Sequence, residues 1–265
     1  MDGNALLSEL VALYHKHIYF SDDYALTCSL WVIWTYLVHE PYIEVSPYLG
    51  FTAPDKRCAK TRCLDLTERL VLRGYCVSDL SQAAFFRLSE KYHPTLLIDE
   101  VHHLLARPSG LLGMLLNAYD RHKPVTRVNP ENNNEVEEFD IWSGKALAYL
   151  GILDPQLRDR VIEIRLERKP STVKKPNCER PPVNIRTNCN ANASVGLATT
   201  QRPLARSGRL ISISQNDRAG NNWEFFLAIA GVIDPDNVDL SGRYRAQNRR
   251  RNQLCRSRIG RGCRS

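Results

Sequence analysis

The sequence predicts an α/β protein, a mainly parallel sheet flanked by helices, with helices at the N-terminus and a small helical appendage near the C-terminus. Three observations predict it. Short strand-like runs alternate with segments of helical period, the pattern of parallel strands joined by crossover helices. The run Thr95-Leu96-Leu97-Ile98 is apolar without alternation until two acids, Asp99-Glu100, end it, as a strand covered on both faces requires. Finally, 265 residues with 43% hydrophobic composition suffice for one such domain with a sizeable core and about one small appendage.

The elements follow in order. Leu6, Leu7, Leu10, Leu13 and Tyr14 fall on one side of a helix over 4–17. Ser21 is a suitable N-cap for a second helix running to about His39, ahead of Pro41, and Asp22 and Asp23 suit the positive end of its dipole. Tyr48 to Thr52 reads as a strand, and after a loop ending Lys60-Thr61 a helix runs to about Leu72. Ser81 to Lys91 is helical, 95–100 a strand, and Leu111 to Tyr119 helical. Val125–Val128 and Val136–Ile141 flank an Asn-rich turn and form a hairpin. Ala146–Leu150 and Val161–Leu166 complete the strands. The segments expected are an N-terminal helical part (1–45), a core (46–170), an irregular linker (171–215), a helix (216–232) and a disordered basic tail (233–265).

Charge and cysteines restrict the function classes. The net charge is +7, but nine arginines and no acid lie between Leu240 and the end, so residues 1–239 carry −2 and the basic character belongs to the tail. The eight cysteines form no Cys-x-x-Cys pair from which a zinc site could be read, and reduced thiols in a cytoplasmic protein are expected. The most apolar stretch, Tyr24 to Val38, is about 15 residues long against the roughly 20 of a membrane span, so a buried helix and no membrane association are expected.

The chemistry rests on one constellation. A strand is followed by a loop ending Lys60-Thr61 and a helix, and about 38 residues later a second strand ends Asp99-Glu100. A phosphate-binding loop presents backbone N–H groups at a helix N-terminus, a lysine for the β and γ phosphates and a hydroxyl for Mg²⁺, here Thr61. Asp99 is placed to complete the metal shell and Glu100 to polarise an attacking water. Either half alone would be read as a solvated lysine or an acid-capped strand end; their order and spacing make them a candidate ATP–Mg²⁺ site.

At these residues the chain resembles a P-loop NTPase domain of uncharacterised function found in phage, plasmid and bacterial helicase- or primase-like proteins. That family carries Ser-Pro-x-Lys-Gly-Cys-Gly-Lys-Thr at the phosphate loop, where this chain has Ala53-Pro54-Asp55-Lys56-Arg57-Cys58-Ala59-Lys60-Thr61. Its Arg-Pro-Thr-Leu-Leu-Ile-Asp-Glu is matched by His93 to Glu100. Leu112–Arg121, Phe139–Arg160 and Asn216–Ala230 resemble further segments, so the likeness covers about 20–167 and 216–231. The resemblance implies ATP binding through residues 55–61, coupling to DNA, and possible assembly into a homo-oligomer.

The phosphate loop is degenerate, because both family glycines are replaced, by Arg57 and Ala59. Such glycines supply positive φ and let the backbone approach phosphate, so hydrolysis is expected to be weak or lost. Arg160 is the candidate for an arginine offered to a neighbouring subunit's nucleotide, with Arg158 second, and Arg218 is a candidate γ-phosphate sensor. His102 and His103 read as a solvated pair at a helix start rather than metal ligands. Residues 171–215 and those after about 235 have no period, the texture that out-of-frame translation gives; a divergent linker and basic tail is the other reading. The function expected is an ATP-binding domain of a helicase- or primase-like DNA-processing protein; the alternative is a non-catalytic nucleic-acid-binding or assembly module that keeps the fold.

Overall fold

The computed structural model describes residues 3–54, 58–107, 110–129, 135–176 and 217–233. The expectations for most of the linker and for the tail lie outside the described residues.

Two helices open the chain. The stripe of Leu6, Leu7, Leu10 and Tyr14 buries one face of α1 (Gly3–His17). In contrast, α2 (Asp22–Thr35) is apolar nearly all round and is packed by α1, by the next helix and by the last one, as a helix without a polar face must be. Ser21 is its N-cap in extended conformation, with no side-chain capping bond. The helix stops at Thr35, four residues before the sequence expectation. Its last groups are claimed by other elements: Thr35 Oγ1 accepts from the Leu72 amide at 3.2 Å and the Val38 carbonyl accepts from Trp142 Nε1 at 3.0 Å. Arg121 donates to the carbonyls of His39, Glu40 and Ile43 and lies over the Trp142 ring, fixing the turns that lead to the sheet.

The sheet contains β1 (Tyr48–Ala53), β2 (Gly74–Val77), β3 (Thr95–Ile98), β6 (Lys145–Leu150) and β7 (Val161–Arg165) in the order β2-β3-β6-β1-β7, every pair parallel. Strand β1 is thus interior, with Gly50 opposite Leu147 on one side and Glu163 on the other. A Cβ on Gly50 would stand 2.3 Å from Val161 Cγ1, which explains a glycine in the middle of a buried strand. Side chains alternate between two cores. Leu49, Phe51, Leu97, Ala146, Ala148, Ile162 and Ile164 meet α1, α2, α3 (Lys60–Leu70) and α8 (Asp217–Ile233). Tyr48, Leu96, Ile98, Leu147 and Tyr149 meet the other face's helices, α4 (Gln82–Tyr92), α5 (Val101–Leu105), α6 (Leu111–Asn117) and α7 (Pro155–Arg158). The expected architecture is therefore the one found: a mainly parallel five-stranded sheet flanked by helices, consistent with a P-loop NTPase-like fold.

The hairpin, β4 (Val125–Asn129) and β5 (Glu135–Phe139), is antiparallel and separate from the sheet. It is anchored on α4, where Phe139 stacks on Phe86 at 5.3 Å and Arg127 lies over the same ring at 5.1 Å. Two elements have no counterpart in the sequence reading. Strand β2 is half-exposed at the sheet edge and so shows no apolar run, and α7 is a single turn started by Pro155 with Asp154 as its cap. No helix among the described residues is long and apolar enough to cross a membrane.

Candidate nucleotide site

The site forms where β1 and β3 end. Parallel strands put both C-terminal ends on one edge of the sheet, the usual ligand edge of such folds. After β1 the chain turns and enters α3 at Lys60. Ala59, the N-cap, is held in the left-handed region at φ 62° and ψ 20°. This is the conformation for which a glycine is expected, and Ala59 adopts it with a Cβ. Lys60 follows, its side chain folded into the protein (6% exposed) and its ammonium without a hydrogen-bond or ion-pair partner among the described residues. Asp55, Lys56 and Arg57 lie outside the described residues; Cys58 is buried.

Asp99 extends the sheet one residue beyond β3, its amide donating to the Val77 carbonyl at 2.9 Å. Its carboxylate accepts twice: Oδ2 from Thr61 Oγ1 at 3.0 Å, and Oδ1 from the Glu100 amide at 2.9 Å. The two predicted halves, 38 residues apart in sequence, therefore touch. Glu100 occupies the left-handed region at φ 49° and caps α5. Its Oε2 lies 3.2 Å from His102 Nε2, and His102 Nδ1 accepts from the Leu150 amide at 3.3 Å. Burial, with His103 adding to it, pushes the His102 pKa below the ordinary histidine value, so the ring is neutral near pH 7.

Lys60, Thr61, Glu100 and His102 line a cavity of about 620 Å³, and Asp99 stands behind its wall in contact with Thr61. One wall is Cys58, Ala59, Lys60, Thr61 and Arg62, at the entry to α3, and Glu100, His102, His103 and Leu150 continue it. The remaining wall comes from distant parts of the chain: His17 at the end of α1 and Tyr19 after it, and Glu167, Lys169 and Lys175 after β7. The two segments are joined, since Lys175 Nζ donates to the His15 carbonyl and His17 Nδ1 lies 3.4 Å from the Pro176 carbonyl. Sequence reasoning missed this wall, because nothing local marks a residue that reaches a site only through the crossing of two chain segments.

Glu100, His102 and His103 offer ligand atoms within 4.8 Å of one another. Two ligands on one zinc ion stand at most roughly 4.2 Å apart, given bonds of about 2.1 Å. The group would have to close, and His102 would have to give up its bond to Leu150 or Glu100. A hydrogen-bonded pair describes it better than a metal centre.

Arg160 and Arg218 are not in this cavity. Arg160 precedes β7, level with Tyr48 at the start of β1 and so at the opposite edge of the sheet from Thr61. Its guanidinium donates to the Gln156 carbonyl at 2.6 Å and lies over the Tyr119 ring at 5.4 Å. Burial, and next Arg218 beside it, lower its pKa. Arg218, exposed at the start of α8, belongs to the same edge, so within one chain the structure does not bring it to Lys60. The reason is the docking of α8: Asn222 donates to the Asp159 carbonyl at 3.0 Å and meets the Tyr119 hydroxyl at 2.8 Å. Arg158 is paired with the buried Glu163 at 3.3 Å.

No protein-family model matches the chain, and no curated protein sequence is similar to it. Among solved structures, the chain is similar to one described as an active helicase, SCCmec type IV Cch, at 12% identity and a TM-score of 0.43, over 90% of this chain and 47% of that one. It is similar to JCV helicase at 11% identity and a TM-score of 0.30, over 93% of this chain and 68% of that one.

Proposed function

We propose that the chain binds ATP with Mg²⁺ at the edge of β1 and β3 and hydrolyses it slowly, as the nucleotide-binding domain of a helicase-like, DNA-processing protein. The observation that carries the reading is the 3.0 Å contact of Thr61 Oγ1 with Asp99 Oδ2, next in sequence to Lys60, which lines the cavity and has no hydrogen-bond or ion-pair partner among the described residues. A lysine on a cavity wall that no described acid pairs is open to an anionic ligand. A hydroxyl and a carboxylate oxygen 3.0 Å apart fit neighbouring positions on an octahedral ion with bonds of about 2.1 Å.

Thr61 and Asp99 are the residues that would hold Mg²⁺, which when bound neutralises phosphate charge. Lys60 reaches the β and γ phosphates, and amides at the start of α3 cradle them. Glu100 orients the water for in-line attack and accepts its proton. Arg160 lies on the far edge of the sheet and acts, in this reading, on the nucleotide of a second copy in a homo-oligomer; Arg218 beside it belongs to the same surface. Slow turnover follows from Ala59, whose Cβ occupies a left-handed position next to the phosphates, and from Arg57.

Ala59 also favours a second reading, in which nucleotide is held without turnover and the domain serves assembly or nucleic-acid binding. Titration of the purified protein with Mg²⁺-ATP, with and without single-stranded DNA, tests both. Binding with DNA-stimulated phosphate release is expected for the first reading and binding alone for the second; no binding refutes the nucleotide site.

A further inference from the structure

The Glu100–His102–Leu150 chain has a cause in the sheet. The Gly144 carbonyl accepts from the Leu96 amide at 2.9 Å, so Gly144 and, by alternation, Ala146, Ala148 and Leu150 turn their backbone polar groups toward β3. Strand β3 ends at Ile98, opposite Leu147, whereas β6 runs on to Leu150. The Leu150 N–H therefore points into the space beyond β3, and His102 Nδ1 takes it at 3.3 Å. A neutral imidazole has one accepting and one donating nitrogen. With Nδ1 accepting, the proton resides on Nε2, which faces Glu100 Oε2 at 3.2 Å.

We propose that His102 is a positioning residue for Glu100: its Nδ1 is anchored on the end of β6, and its Nε2–H holds the Glu100 carboxylate at a fixed point in the cavity. The inference rests on the nucleotide reading for its catalytic meaning. Glu100 sits in the left-handed region, and its other described bonds hold its backbone, the amide on Asp99 and the carbonyl on the His103 amide; among the described residues His102 is the partner of its carboxylate. The same geometry opposes metal binding at His102, since an ion on Nε2 would displace the proton and push it onto the nitrogen that Leu150 occupies.

Two variants separate positioning from mere capping of β6. In His102→Asn the amide oxygen stands near Nδ1 and can still accept from Leu150, but the side chain no longer reaches Glu100. In His102→Gln the amide nitrogen stands near Nε2 and can still donate to Glu100. Expected for His102→Asn is a fall in kcat of about tenfold with KM for Mg²⁺-ATP changed less than about twofold, because a misplaced base loses rate rather than binding. His102→Gln should recover most of that loss. Equal turnover by His102→Asn and the wild type would reduce His102 to a strand cap.

A second measurement does not depend on turnover. In histidine-selective ¹⁵N spectra, the signal lost in His102→Asn should be that of an Nε2-protonated ring, and Glu100→Gln should shift it. An Nδ1-protonated ring, or a signal indifferent to Glu100→Gln, overturns the proposal even if nucleotide binding is established. Failure to bind Mg²⁺-ATP would refute the nucleotide reading and leave the hydrogen-bonded pair to these spectra.

Discussion

Ala59 and Lys60 are adjacent, and they pull the site in opposite directions. Lys60 lines the cavity with no partner for its ammonium among the described residues, and Lys60→Ala should abolish ATP binding without altering thermal unfolding, as ATP titration and calorimetry would read. Asp99→Asn, which keeps an acceptor for Thr61 but loses the charge, should reduce Mg²⁺-dependent hydrolysis more than binding. Ala59 stands at φ 62°, where a non-glycine residue is strained by on the order of 1–2 kcal/mol. Ala59→Gly should therefore stabilise the fold by about 1 kcal/mol. With Arg57→Gly it should raise ATP affinity or turnover several-fold; a folded double variant with unchanged affinity would locate the defect elsewhere. Lys145 makes a different prediction. It is fully buried at the start of β6, and its ammonium donates to the Ile141 and Ser143 carbonyls at 3.0 Å. Burial pushes its pKa down to about 7 from 10.5. Between those two values the unfolded chain holds the proton and the folded chain does not, so stability should rise with pH from about 7 toward 10 and be flat just below 7. Denaturant titrations of wild type and Lys145→Met across that range should show a difference that closes upward; a pH-independent difference would mean the lysine is not neutralised by burial.

Among the elements, α8 is separated in sequence from the strands it covers, and it still completes their core. Phe226 is fully buried between Trp34 and Trp223, ring centroids 6.3 and 6.0 Å away. Phe226→Ala should lower the unfolding free energy by about 3–5 kcal/mol, measurable by urea denaturation; a loss below about 1 kcal/mol would mean that α8 is not part of this core. The helix was legible because Trp223, Phe226, Leu227 and Ala230 repeat at helical spacing. Strands β1, β3, β6 and β7 were legible for a related reason, since burial on both faces demands mostly apolar runs, Glu163 in β7 and Lys145 in β6 being buried polar exceptions. Strand β2 was not, because an edge strand of Gly-Tyr-Cys-Val needs no apolar face. The end of α2 was misplaced because its stop is tertiary, set by Leu72, Trp142 and Arg121. The same distinction runs through the site. Lys60, Thr61, Asp99 and Glu100 carry local signals, whereas Tyr19, Glu167 and Lys169 reach the cavity through the chain's path alone.

At the scale of the whole molecule, the cavity and the Arg160–Arg218 surface occupy opposite edges of one sheet. A head-to-tail assembly would bring them together, and Arg160→Ala should then reduce turnover while leaving ATP binding unchanged. Mixing Arg160→Ala with Lys60→Ala should restore part of the activity; no recovery in mixed assemblies would remove Arg160 from catalysis. The tail bears on a separate property. Nine arginines without an acid between 240 and 265 attract phosphates by counterion release, and one aromatic, Tyr244, offers little stacking. Truncation after Asp239 should leave unfolding unchanged and weaken DNA binding steeply at low salt. A truncated protein that binds DNA equally well would place the DNA surface on the folded body.

In the proposed reading, Lys60, Thr61 and Asp99 form a site for Mg²⁺-ATP that Ala59 impairs. Isothermal titration of wild type, Lys60→Ala and Ala59→Gly with ATP, with and without Mg²⁺, tests it most directly. Expected are Mg²⁺-dependent binding by wild type, tighter binding by Ala59→Gly and none by a folded Lys60→Ala. Equal binding by wild type and Lys60→Ala, or no binding by either wild type or Ala59→Gly, would contradict it.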